Sequence, residues 1–255
     1  MAYGDEVEHL EACEADSTLG DLQSMVVGSP RFLSEFRRYL DILYTKKVTP
    51  SFTIMTADKD DPRFDEFYVK GNEARLFIGL FLTDMPSYMG MGFEQRDTHL
   101  APAPNEHYTK LYVFKIDEGE KATHGDYVWG SNRTLFTNLE KIKLYAEKVL
   151  KKIQDADSQW LIMPSETDKV IAWTQKDTSR PRVLGGAGSE YLFIVNLDID
   201  NDFKNVKIPA NFTANNEKLH FDFSTIKDAD YGFNFNKNNI ILNEMKAGEG
   251  RAYKL

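Results

Sequence analysis

The periodicity of hydrophobic and polar residues changes once along the chain, near residue 156. Before this point, segments with helical spacing alternate with short apolar runs. After it, short apolar runs follow one another between turns rich in Asn, Asp and Gly. Alternating strands and helices are typical of a parallel sheet with crossover helices, and successive short strands are typical of an antiparallel sandwich. The pattern therefore predicts two domains, 1–156 and 157–255.

Three helices are predicted in the first domain. The first begins at Ser29 and Pro30, because serine as N-cap and proline at the first helical position form a start signal. The second covers about 71–82 and is predicted to be buried, since it is apolar on nearly every side after Arg75. The third covers about 133–153, and its apolar face consists of Leu135, Leu139, Ile142, Val149, Leu150 and Ile153.

Short apolar runs predict the strands. Two lie in the first domain, at 51–56 and 86–92, and a long irregular segment follows at about 93–130. Several runs of the second domain alternate apolar with polar residues, as half-buried antiparallel strands do. The six strands predicted there are 159–163, 169–173, 190–196, 218–223, 239–242 and 251–255. Trp160 and Trp173 are predicted to lie in the core of this domain.

Composition excludes several functional classes. The chain has 31 Lys and Arg against 40 Asp and Glu, a net charge of −9, which argues against nucleic acid and anionic membranes as partners. The longest apolar run, 76–82, is far shorter than the roughly 20 residues of a membrane helix. The acidic start lacks a secretory signal and favours a soluble cytoplasmic protein, provided that Met1 is the natural start. Cys13 is the single cysteine, so no internal disulfide is expected.

A crowded acidic turn follows the strand predicted at 51–56. Its charged residues are Asp58, Lys59, Asp60, Asp61, Arg63 and Asp65. Carboxylates at the carboxyl end of a parallel strand are where β/α barrels hold their catalytic groups. The alternative is a solvated loop whose aspartates pair with Arg63 and cap the next helix. Spacing alone leaves both interpretations open.

The residues at 53–64 read Thr-Ile-Met-Thr-Ala-Asp-Lys-Asp-Asp-Pro-Arg-Phe. They resemble the fourth conserved region of the α-amylase superfamily of glycoside hydrolases, an apolar strand that ends in Asn-His-Asp, often followed closely by Pro-Arg. The resemblance implies that Asp60 is the aspartate that stabilises the transition state. It places Asp58 at the asparagine, Lys59 at the substrate-contacting histidine and Arg63 in the Pro-Arg pair. Asp58 and Lys59 depart from the family pattern.

Further segments resemble the same superfamily in the same order. Residues 74–82 resemble its seventh barrel helix and 85–94 its eighth strand, while 170–176, 191–196 and 250–255 resemble the β-sandwich that follows the barrel. The resemblance spans roughly 30–255. It implies a fold of class α/β plus all-β, in which the C-terminal part of a (β/α)8 TIM barrel precedes an antiparallel β-sandwich.

The resemblance implies hydrolysis or glycosyl transfer on α-linked glucans, with maltooligosaccharides as candidate ligands. In this family the nucleophile lies on the fourth barrel strand, which the resemblance does not cover. The general acid follows the fifth strand. Glu6, within Tyr-Gly-Asp-Glu-Val-Glu at 3–8, is the candidate for this acid. The alternative is that these residues form a solvated acidic terminus. We therefore expect catalysis to need an N-terminal half of the same enzyme or an oligomeric partner.

Two other classes stay open. A non-catalytic α-glucan-binding or scaffold protein with a degenerate amylase fold is the first alternative, because Lys59 replaces the histidine and no nucleophile is identified. A structural interaction domain without sugar affinity is the second.

Exposed aromatic rings are candidate sugar contacts, because sugars stack on aromatic faces. Tyr88, Tyr108 and Trp129 are the candidates here, and core packing is the alternative role. No cofactor is predicted. The acidic residues at 198–202 have the spacing of a calcium loop, but Phe203 and Pro209 stand where an EF-hand needs Gly and Glu. We therefore expect a hairpin turn between sandwich strands at 198–202.

Overall fold

The computed structural model describes residues 2–3, 17–21, 49–54, 71–82, 88–89, 133–153, 161–164, 169–176, 190–209, 219–236 and 239–254. These residues form twelve β-strands and two α-helices, so the described part is mostly β-sheet. The helix predicted to begin at Ser29 and Pro30 lies outside them. Neither described helix is both long enough and apolar enough to span a bilayer.

The first four strands form a parallel sheet. They are β1 (Ala2–Tyr3), β2 (Ser17–Asp21), β3 (Thr49–Ile54) and β4 (Tyr88–Met89), and they lie side by side in chain order. Parallel neighbours in chain order are what a succession of strands and crossover connections produces. Within the described strands, β1 and β4 are open edges, so this sheet does not show a barrel.

Both described helices were predicted, almost to the residue. They are α1 (Asn72–Phe81) and α2 (Arg133–Ile153). Most of α1 is buried, including the polar residues Asn72 and Arg75. The predicted apolar face of α2 is buried at Leu135, Leu139, Ile142 and Val149 and half-buried at Leu150, and the opposite face leaves Phe136 and Leu144 exposed.

The remaining strands form two antiparallel sheets, which agrees with the all-β part of the prediction. The five-stranded sheet has the order β5 (Leu161–Pro164), β6 (Val170–Lys176), β7 (Glu190–Asn196), β12 (Gly250–Lys254) and β9 (His220–Ser224). The three-stranded sheet has the order β10 (Phe233–Asn236), β11 (Asn239–Met245) and β8 (Phe203–Pro209). Strands β1, β2, β8 and β10 were not predicted.

The five-stranded sheet is a middle layer, buried on both faces. In β7, Tyr191, Phe193 and Val195 pack in one core cluster with α1 and α2, whereas Leu192 and Ile194 pack in a second cluster with β8 and β11. A strand covered on both faces reads as a continuous apolar run, because neither set of alternate side chains meets water. The run at 191–195 therefore reflects burial between two layers.

The helix-facing cluster joins the two predicted domains. It contains Phe77 and Phe81 from α1 together with Trp173 and Phe193 from the five-stranded sheet. Trp173 is fully buried, as predicted, and its Nε1–H donates a hydrogen bond to the carbonyl oxygen of Phe81 at 3.1 Å. This cluster therefore contains residues from both sides of the predicted boundary near residue 156. Trp160 lies outside the described residues.

The prediction of a hairpin turn at 198–202 is wrong. Strand β7, before this segment, belongs to the five-stranded sheet, and β8, after it, belongs to the three-stranded sheet. The connection therefore crosses between layers. The carboxylate of Asp198 accepts backbone hydrogen bonds from Asp200 and Asn201, at 3.0 and 3.1 Å, and so turns the chain locally without requiring its flanking strands to pair.

Candidate functional site

The segment with the predicted catalytic turn leaves the parallel sheet at the carboxyl end of β3, after Ile54. The segment with Glu6 leaves at the carboxyl end of β1, after Tyr3. Because β1 to β4 are parallel, their carboxyl ends lie at one edge of the sheet. Catalytic groups of β/α proteins gather at that edge. The two acidic segments therefore begin on the same side of the molecule.

The strand order and register set the separation of the two exit points. One strand, β2, lies between β1 and β3. Through β2, Tyr3 at the end of β1 is level with Ser51, three residues before the end of β3. Since neighbouring strands lie about 4.8 Å apart and each residue adds about 3.3 Å along a strand, the two strand ends are about 14 Å from each other.

Tyr88 is the predicted site residue that falls on a described strand. It lies in β4, and its register partner in β3 is Thr53, next to the last residue of that strand. Its backbone is therefore placed beside the point where the acidic turn begins. The other predicted site residues lie outside the described residues, so their roles stay predictions: Glu6, Asp58, Lys59, Asp60, Arg63, Tyr108 and Trp129.

A fully buried ion pair at the start of β12, between Arg251 of this strand and Glu249, which directly precedes it, was not predicted from the sequence. Glu249 and Arg251 both have side chains with no exposed area. Arg251 donates from Nη2 to Oε2 of Glu249 at 2.7 Å and from Nε to Oε1 at 2.9 Å. Glu249 also accepts hydrogen bonds from Ser224 Oγ at 2.6 Å and from the Lys246 backbone N–H at 2.9 Å.

The geometry of this pair indicates a structural role. Both carboxylate oxygens of Glu249 are occupied by donors, so neither is available to a substrate. Burial lowers the pKa of Arg251, but its hydrogen bonds to Glu249 and Tyr253, together with its electrostatic interactions with both groups, raise that pKa above its usual range. The sequence signal is a Glu and an Arg two residues apart, because such residues share one face of a strand.

Asp198 forms a second structural ion pair at the start of the crossing segment. Its Oδ2 lies 2.6 Å from Nζ of Lys169. Burial raises the pKa of Asp198, but hydrogen bonds from Lys169, Asp200 and Asn201 together lower it below its usual range. In the described ranges, no three His, Cys, Asp or Glu side chains gather closely enough to hold a metal ion.

Comparisons with solved structures find proteins of similar fold. No protein-family model matches the sequence, and no curated protein matches it. The fold is similar to the crystal structure of a debranching enzyme from Nostoc punctiforme, with a TM-score of 0.52 and 11% sequence identity. The match covers 99% of this chain and 50% of that enzyme, so the chain spans half of its length. At this identity the likeness shows a shared fold.

Proposed function

We propose that this protein is part of a glycoside hydrolase or glucanotransferase of the α-amylase type that acts on α-linked glucans. The observation that carries the proposal is the parallel sheet from which two acidic segments leave at the same edge, two strands apart. The similarity of fold to a debranching enzyme supports it.

In this proposal, Asp60 hydrogen-bonds sugar hydroxyls more strongly in the transition state than in the ground state. Glu6 donates the proton to the leaving oxygen, as the general acid of glycoside hydrolysis does. Charge on Asp60 also stabilises the positive charge that develops on the sugar ring. The residues proposed to contact the glucan are Asp58, Lys59, Arg63, Tyr88, Tyr108 and Trp129.

We propose further that the nucleophile comes from an N-terminal half of the enzyme or from an oligomeric partner. The described parallel sheet has four strands with open edges at β1 and β4, and a (β/α)8 barrel has eight. A strand beside β1 would place a nucleophile next to Glu6. Open strand edges also need a partner, because their N–H and C=O groups are unpaired.

One sequence feature favours a non-catalytic glucan-binding or scaffold protein. Lys59 occupies the position at which the family has a substrate-contacting histidine. A lysine offers a charged donor on a flexible stem, whereas histidine offers a rigid ring that can also accept a proton. Loss of this contact would weaken sugar positioning at the reacting bond while leaving binding elsewhere intact.

The test combines sugar binding with turnover. Calorimetry measures binding of maltooligosaccharides, and a reducing-sugar assay measures release from these and from starch. The variants are Asp60→Asn and the matched control Asp65→Asn, which removes a charge nearby in the same acidic segment. Turnover that is lost in Asp60→Asn but kept in Asp65→Asn supports catalysis and places a nucleophile in this chain.

Other outcomes separate the alternatives. A chain that binds maltooligosaccharides but turns them over only when an N-terminal half is supplied supports an active site shared between the two parts. Binding that never becomes turnover favours the glucan-binding scaffold. A chain that binds no α-glucan and releases no reducing sugar contradicts the proposed function.

A further inference from the structure

Strand β12 approaches helix α1 unusually closely. A Cβ atom built on Gly250 would lie 2.7 Å from Cγ of Phe77, 2.8 Å from its Cδ1 and 3.1 Å from its Cβ. Distances below 3.0 Å require one of the two groups to move. A glycine inside a strand is typical of positions where another element comes this close. Gly250 therefore provides the space in which the ring of Phe77 lies.

The start of α1 lies close to the turn between β11 and β12. A Cβ atom built on Gly248, in this turn, would lie 3.9 Å from Cα of Gly71. Gly71 is the N-cap residue of α1. The turn that leads into β12 therefore lies beside the first residue of the helix region.

The end of α1 is held as well. The indole N–H of Trp173, in β6, donates a hydrogen bond to the carbonyl oxygen of Phe81 at 3.1 Å. The ring of Phe81 also stacks on Phe193 of β7, with centroids 4.8 Å apart. Helix α1 thus packs against the five-stranded sheet through Phe77 in its middle and Phe81 at its end.

These contacts matter for the segment between β3 and α1, which contains Asp58, Asp60 and Arg63. One end of this segment continues from β3, which is hydrogen-bonded between β2 and β4. The other end continues into α1, which the five-stranded sheet binds. We infer that Gly250 is a positioning residue for the acidic turn, acting through Phe77 and α1. The expected effect on glucan binding rests on the proposed function. The effect of Gly250 on the position of α1 rests on the described contacts alone.

The substitution Gly250→Ala tests this inference. It adds one methyl group against Phe77, and displacement of α1 is the expected response. Gly232→Ala is the matched control, because its Cβ would lie 2.5 Å from Nδ2 of Asn243 and 2.9 Å from Oδ1 of Asp230, in a different part of the sandwich. Both variants place a methyl group too close to a neighbouring side chain, but only in Gly250→Ala does that side chain belong to α1.

Hydrogen–deuterium exchange of residues 49–82 is the first readout, because it needs no activity. Gly250→Ala is expected to speed exchange in this region by about tenfold or more, the effect of a modest local overpacking strain. Gly232→Ala is expected to leave exchange there unchanged. In a Phe77→Ala background, Gly250→Ala is expected to have a much smaller effect, because its clash partner is missing.

Glucan affinity and turnover are the second readout. Gly250→Ala is expected to weaken maltooligosaccharide binding or lower kcat, and Gly232→Ala is not. If Gly250→Ala fails to fold, Trp173→Phe is the milder variant, since it removes the hydrogen bond to Phe81 but keeps an aromatic ring. The same rise in exchange is expected from it.

The inference is wrong if exchange at 49–82 changes equally in Gly250→Ala and Gly232→Ala. It is also wrong if the wild-type chain binds or cleaves α-glucan and Gly250→Ala speeds exchange without changing glucan affinity or kcat. A wild-type chain that binds no α-glucan contradicts the proposed function, whereas the exchange data still decide whether Gly250 holds α1.

Discussion

The buried pair of Glu249 and Arg251 allows a sharp test of what stabilises the sandwich. In Glu249→Gln, an amide NH2 group replaces one of the two carboxylate oxygens. Oε2 accepts hydrogen bonds from the Lys246 backbone N–H and from Nη2 of Arg251. Oε1 accepts hydrogen bonds from Ser224 Oγ and from Nε of Arg251. In both orientations a donor meets donors, and Arg251 stays charged in a fully buried site. Since the side chains have no exposed area, solvent does not screen this loss.

Breaking a buried ion pair from one side costs about 3 to 5 kcal/mol. Because the glutamine retains one acceptor, we expect the lower end, about 3 kcal/mol of the free energy of unfolding. In a protein of this size that corresponds to a fall in Tm of about 6 to 12 °C. Urea unfolding followed by circular dichroism measures the free energy, and calorimetry measures Tm.

The matched control is Glu147→Gln on the surface of α2. Glu147 pairs with Lys143 at 3.9 Å, and the two side chains are 56% and 72% exposed. This loss is expected to stay within about 0.5 kcal/mol. The double variant Glu249→Gln with Arg251→Met is expected to be more stable than Glu249→Gln alone, because it removes the uncompensated charge. A loss below about 1 kcal/mol for Glu249→Gln, or one equal to the control, would refute the reasoning.

Three further predictions concern single positions. The hydrogen bond and ion pair with Lys169 help to lower the pKa of Asp198 in the folded state. The free energy of unfolding is therefore expected to fall as the pH decreases from about 4, the unfolded-state pKa, through that lowered pKa. In Asp198→Asn, urea unfolding is expected to show a shallower dependence on pH. Tyr145→Phe removes a 2.7 Å hydrogen bond from the Tyr145 hydroxyl to Oδ2 of Asp222 and is expected to cost about 1 to 2 kcal/mol in the same assay. Gly248→Ala forces alanine to a φ of 64°, which is expected to destabilise the protein by about 1 kcal/mol.

Each of these predictions has an outcome that contradicts it. An unchanged pH slope in Asp198→Asn would mean that other carboxylates account for the acid sensitivity. A fully stable Tyr145→Phe would mean that Asp222 gains equal hydrogen bonding from water. A Gly248→Ala variant as stable as wild type would mean that the turn can change its backbone conformation without loss.

The helices and the central strand could be predicted from sequence because their signals are local. The apolar residues of 133–153 recur at helical spacing along one face, and the observed α2 has the predicted bounds. Strand β7 likewise coincides with the predicted strand at 190–196. Strands β8 and β10 escaped prediction because their side chains are largely exposed or half-buried, so their apolar signal is weak.

The candidate site could be predicted only as a set of residues. Asp60 and Glu6 stand out by resemblance and position in the sequence, and the parallel sheet adds that their segments leave at one edge. The roles of both residues stay predictions. Side-chain geometry at such a site depends on segments far apart in the chain, and local spacing carries no information on their relative positions.

The sequence by itself determined where α1, α2 and β7 lie, because hydrophobic periodicity and helix propensity act between near neighbours. Only the tertiary structure decided that the five-stranded sheet is covered by helices on one face and by a second sheet on the other. It also decided that 198–202 crosses between sheets and that Glu249 and Arg251 are buried together. The physical reason is that strand pairing, layer packing and the burial of charge depend on partners distant in sequence, which no local pattern specifies.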